Sequence, residues 1–138
     1  MKEWELTLEA TDQNLNTAMD FVNGHLEEIG CPLKEQMQIN IAVEELFVNV
    51  AHYAYAPKTG PVTLRVEVGE DQKDISITFE DQGVPYDPLA KPDPDVTMTA
   101  EEREIGGLGI FMVKKSMNGM TYRFENGRNI LTIRKCWP

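Results

Sequence analysis

Apolar and polar residues alternate from Glu3 to Glu9, with Trp4, Leu6 and Leu8 on one side and Glu5 and Thr7 on the other, which predicts a half-buried first strand. Thr11 or Asp12 then offers a cap, and the apolar period lengthens. Leu15, Ala18, Met19, Val22, Leu26 and Ile29 recur at helical spacing up to Gly30, and Pro32 lies just beyond to keep the helix stopped. A second helix is expected from Ile39 to Tyr55, ending before Pro57, with Ile39, Ala42, Val43, Leu46 and Val50 as its core stripe. Period two returns after the Gly60-Pro61 turn at Val62, Leu64, Val66 and Val68. It returns again at Ile75, Ile77 and Phe79, and the mostly charged residues between Gly69 and Asp74 predict a hairpin joining the two strands.

From Val84 to Ile105 the pattern is lost: Pro85, Pro88, Pro92 and Pro94 interrupt an acidic run, and so long a connection in a small domain suggests a functional lid. Ile110, Phe111, Val113 and Met117 then begin a third helix, closed by Asn118-Gly119. Tyr122 and Phe124 lead into Asn126-Gly127, the strongest two-residue hairpin signal, and Leu131 and Ile133 lead out of it, which sets Glu125 opposite Arg128. The order β, α, α, β, β, α, β, β folds most simply as an α+β unit: one mainly antiparallel sheet with all three helices on one face.

At 138 residues the chain fits a single domain, residues 1–138, with a core of its own. Its formal net charge of −10 is lopsided, near −15 over residues 1–106 and near +5 over the rest. An acidic whole does not suit a phosphate backbone, so no direct nucleic-acid binding is expected, while the basic C-terminal third leaves room for a small anion. No basic-plus-apolar leader or long apolar span is seen, and the expectation is a cytoplasmic protein without a membrane role. Cys31 and Cys136 are the only cysteines and His25 and His52 the only histidines, too few and too scattered for a structural metal site.

Three stretches carry chemistry. On the second helix Glu45, Asn49 and His52 stand at i, i+4 and i+7, which puts a carboxylate, an amide and an imidazole along one line, with no Lys or Arg between Lys34 and Lys58. Glu45 can act as a general base, and the side-chain oxygen of Asn49 can ligate Mg²⁺, an ion that keeps most of its waters. His52 is either a third participant or a helix-end hydrogen-bonder. Asp81-Gln82-Gly83-Val84-Pro85 sets a carboxylate at a strand end, able to accept from an amino group such as that of adenine, although Asp-x-Gly is also an ordinary turn sequence. Gly106-Gly107-Leu108-Gly109 precedes a helix, where backbone N–H groups and the dipole favour a phosphate; a tight turn would need glycine as well. No P-loop or Rossmann glycine string is present.

Taken in order, EELFVN, DQGVPYDP and GGLGIFMV resemble the three nucleotide-binding boxes of the ATPase superfamily that unites gyrase, heat-shock chaperone, histidine-kinase and mismatch-repair proteins. Within it, the short length and the DxGxPYDP and GGLGIFMVKK forms are most similar to the bacterial anti-sigma-factor serine/threonine kinases. The resemblance covers nearly the whole chain. It implies the histidine-kinase-like (Bergerat-type) fold, a two-layer sandwich with a mainly antiparallel mixed sheet.

The resemblance also implies ATP and Mg²⁺ as cofactors. Glu45 would activate the attacking hydroxyl, and Asn49 would hold the metal. Asp81 would read the adenine amine, with Gly83 giving the base room. Gly106, Gly107, Leu108, Gly109 and Ile110 would form the phosphate-side box, residues 86–105 the lid, and Thr132 would approach the base from the last strand. The partners implied are a small antagonist protein of the anti-anti-sigma type, which is phosphorylated, and a sigma factor, which is sequestered. Homodimers are common in such kinases. An ATP-binding module that engages a partner without phosphoryl transfer is the alternative. Two features depart from the pattern: His52 comes three residues after Asn49 where many relatives have a histidine at four, and Asn118-Gly119 stands where an acidic residue often follows the third helix.

Overall fold

The computed structural model of the chain describes residues 2–90 and 107–138. Five strands, β1 (Lys2–Glu9), β2 (Pro61–Val68), β3 (Asp74–Asp81), β4 (Gly119–Glu125) and β5 (Arg128–Cys136), form one sheet. Its order is β1-β2-β3-β5-β4, and all four pairings are antiparallel. Three helices, α1 (Leu15–Glu28), α2 (Leu33–Asn49) and α3 (Gly107–Ser116), pack as one layer, with α2 between the other two. The architecture is the α+β two-layer arrangement expected from the element order.

Alternation decides which face is covered. Val62, Leu64, Val66 and Val68 of β2 are at most 1% exposed, and Ile75, Ile77 and Phe79 of β3 lie on the same side, each burial worth roughly 1.5–3 kcal/mol. Against them α2 packs Ile39, Ala42, Val43, Leu46 and Phe47, and α1 packs Ala18, Val22 and Leu26. The opposite face of the sheet is polar. There Arg65 reaches Glu3, Glu5 and Glu80, and Arg128 reaches Glu80. Glu125 does stand opposite Arg128 in the register, yet it pairs with Arg123 at 2.9 Å, since each long side chain reaches the partner beside it.

The second helix begins at Leu33, six residues before its expected start. Pro32 opens it, its carbonyl accepting from Gln36 N at 2.9 Å. Its early turns carry Leu33, Met37 and Ile41 at i, i+4 and i+8 on a face that is 58–72% exposed, apart from the core stripe. At the other end the helix widens into a π-helical turn, Val50–Ala54. The β4–β5 connection is the expected two-residue turn, with Asn126 at φ 54° and Gly127 at φ 77°, the left-handed pair of a type I′ hairpin. Cys31 and Cys136 are free thiols, and burial, with Glu35 adding to it against Lys135, pushes Cys31 up to about 11. Among the described residues no helix is long and apolar enough to cross a membrane.

Candidate functional site

A pocket of about 130 Å³ opens between α2 with its π-helical turn, the end of β3, α3 and the β4–β5 pair. Its walls are apolar, built from Leu46, Val50, Phe79, Ile110 and Leu131, while Tyr53 and Tyr86 stand at its edge and are 53% and 42% exposed. Asn49, Asp81 and Asn129 supply the polar groups. A mostly apolar cleft with a few polar groups is the usual form of a small-molecule site.

Asp81 lies in this pocket because the register of the sheet carries it there. Leu8, Val62, Asp81, Asn129 and Phe124 are successive cross-strand partners, so Asp81 and Asn129 interrupt an apolar row on the helix-covered face. Both are 6% exposed. Asp81 Oδ1 accepts from Gly83 N at 2.8 Å and from Asn129 Nδ2 at 2.9 Å. Among the described residues both bonds fall on that one oxygen, which leaves Oδ2 with an acceptor's capacity toward a ligand.

Gly83 does not line the pocket. Its φ lies outside the left-handed region, and glycine is required there for another reason: an added Cβ would overlap the carbonyl of Ala54. The same carbonyl accepts from Val84 N at 3.0 Å, and Tyr55 Oη accepts from Gln82 N at 2.8 Å while donating to Pro61 O at 2.6 Å. The π-helical turn is therefore laced to the segment that follows Asp81. Gly83→Ala should destabilise the chain by about 1–3 kcal/mol, the usual penalty for an added carbon where backbone cannot yield, and urea unfolding measures it.

Asn49 lines the pocket, is half-buried, and makes no capping bond to the turn that follows it. Glu45, one turn earlier, is half-buried, and its carboxylate lies against α3 so closely that a Cβ on Gly109 would overlap it. Burial raises the Glu45 carboxyl above the usual range, and the neighbouring Glu44 carboxylate adds to the shift. The expected line of three groups ends at Asn49. His52 falls in the π-helical turn, where fewer degrees of rotation per residue swing it away, and its Nε2 meets Asp12 Oδ1 at 2.9 Å. Tyr53 takes the pocket side instead.

Within the described part of the glycine box α3 already begins at Gly107, so Gly107, Leu108 and Gly109 form its first turn, with Ile110 in the pocket wall. Gly106 and residues 91–105 of the expected lid lie outside the described residues. Thr132, expected to approach the base, faces the opposite side of the sheet and shares a 2.9 Å hydroxyl contact with Thr78. Alternation already implied this, since Leu131 and Ile133 on either side of it face the helices. Asn129, Tyr122 and Tyr53 were not foreseen in the pocket. A signal for Asn129 existed: the two-residue turn pairs it with Phe124, so it is a polar residue at an inward position.

The fold and this pocket define a class. The chain belongs to the histidine kinase-like ATPase domain family, whose model matches residues 8–135. Among curated proteins it is similar to the serine/threonine-protein kinase BtrW of Bordetella bronchiseptica, 22% identical over 95 residues, 69% of this chain and 66% of that one. It is also similar to the serine-protein kinase RsbW of Bacillus licheniformis, 28% identical over 113 residues, 77% of this chain and 68% of the other. A solved structure of the RsbU and RsbW domains of Rv1364c from Mycobacterium tuberculosis superposes with a TM-score of 0.69 at 17% identity, over 99% of this chain and 32% of that one.

Proposed function

We propose that this chain is an ATP- and Mg²⁺-dependent serine/threonine protein kinase of the anti-sigma regulatory type, which phosphorylates a small antagonist protein. The observation that carries the reading is the buried Asp81 carboxylate, held by two donors on Oδ1 at the polar end of an apolar pocket, with Asn49 lining the same pocket. An amine on a flat base satisfies Oδ2; a keto group there would meet a like acceptor. The kinase names of the BtrW and RsbW relatives support transfer to a hydroxyl.

The donor set fits magnesium. Among the described residues no group of three His, Cys, Asp or Glu side chains could hold a metal, whereas Mg²⁺ needs few protein ligands when phosphates and water complete its shell. Asn49 would hold it through its side-chain oxygen. Bound there, Mg²⁺ would neutralise phosphate charge, the main requirement of phosphoryl transfer. Asn49→Ala should then weaken ATP binding in Mg²⁺ and leave it nearly unchanged in chelator; calorimetry under both conditions checks this, and equal losses would remove Asn49 from the metal.

Labelled ATP, Mg²⁺ and the small antagonist proteins of the source cell test the reading as a whole, with label expected on a serine or threonine. The position of Glu45 favours the alternative of a binding module, since its carboxylate rests against Gly109 and not in the pocket lining. Absence of label on every antagonist, with ATP bound, would establish that alternative.

A further inference from the structure

Asn129 has no place in the three sequence boxes, yet it joins more of the pocket than any residue in them. Its Nδ2 donates to Asp81 Oδ1 at 2.9 Å and to Val84 O at 2.9 Å, with Gly83 O at 3.4 Å. Its Oδ1 accepts from Tyr122 Oη at 2.5 Å and from Tyr86 N at 3.1 Å. Three acceptors surround one end of the amide and two donors the other, so the amide has one orientation. At 6% exposure, water offers little competition.

We infer that Asn129 is the positioning residue that sets the preference of this pocket for an adenine amine. It keeps Asp81 Oδ1 occupied so that Oδ2 faces the ligand, and it fixes the backbone of Val84 and Tyr86, which wall the same pocket. Tyr122 completes the device, because its phenol holds the carbonyl end of the amide in place. Burial, followed by the carboxylates of Asp87 and Asp81 and opposed by the Tyr86 backbone, raises the Tyr122 phenol, so it stays protonated and remains a donor. A leucine of similar shape would leave Asp81 with Gly83 N alone and free the carboxylate to rotate.

The inference rests on the assignment of this pocket to adenine, and the test separates the two. Binding of ATP, GTP and purine riboside triphosphate, which lacks the amine, is measured for wild type, Asn129→Leu, Asp81→Asn and the double variant. Wild type should prefer ATP over both others; if it does not, the adenine assignment falls and this inference with it. Asn129→Leu should lose about tenfold or more in ATP affinity, the loss of one hydrogen bond to a charged group, and much less for the amine-free nucleotide. The double variant should lose no more than Asp81→Asn alone, since both changes act on one contact. Equal losses for the two nucleotides, or additive effects, would leave Asn129 a purely structural residue and overturn the proposal. Should Asn129→Leu not fold, Tyr122→Phe removes a single donor and should shift the same nucleotide ratio in the same direction by a few fold; an unchanged ratio there would overturn it equally.

Discussion

Glu45→Gln should lower phosphoryl transfer by about 10²–10⁴ while ATP and partner remain bound. The change keeps the size of the side chain and removes its basicity. Burial and the Glu44 carboxylate, in that order, raise the Glu45 carboxyl, which makes it a stronger base than a solvated glutamate. A base must be deprotonated to work, so the acid limb of the rate should appear at a pH above the usual glutamate range. Glu44→Gln removes the raising charge and should move that limb to lower pH. In the proposed kinase the Glu45 carboxylate would leave its seat against Gly109 to reach the incoming hydroxyl, and single-turnover rates with ATP already bound measure that step. An unaltered rate in Glu45→Gln would place the base elsewhere.

Asp81→Asn is the second change with a large expected effect. The carboxylate is buried and accepts from Gly83 N and Asn129 Nδ2 on one oxygen. The substitution replaces one oxygen by an NH₂ group. If the remaining oxygen stays with its two donors, the NH₂ faces the adenine amine, donor against donor; if it turns, the NH₂ confronts Asn129 Nδ2. Either way ATP affinity should fall by about 1–3 kcal/mol, roughly ten- to a hundredfold. The preference for ATP over GTP should narrow or invert, because a donor suits a keto oxygen. Titration of both nucleotides decides it, and an unchanged ratio would remove Asp81 from base recognition.

Much of this protein is legible in its sequence. Period-two and helical spacing of apolar residues located the five strands and three helices of the described residues, because each element must bury one face. Asn126-Gly127 set the final hairpin and its register, since few other residue pairs adopt two left-handed conformations in succession. The three boxes brought Asn49, Asp81 and Ile110 to one pocket. What local pattern could not supply was contact between segments far apart in sequence. The bond between Asn129 and Asp81 spans 48 positions and exists only because β5 inserts between β3 and β4. Gly83 is glycine for the sake of a carbonyl 29 residues earlier. His52 left the expected line because the helix widens after Asn49 and Asp12 is there to meet it. Spacing along one element reports which side chains share a face; which groups finally touch is decided by sheet order and by the close approach of backbones, and both are properties of the assembled fold.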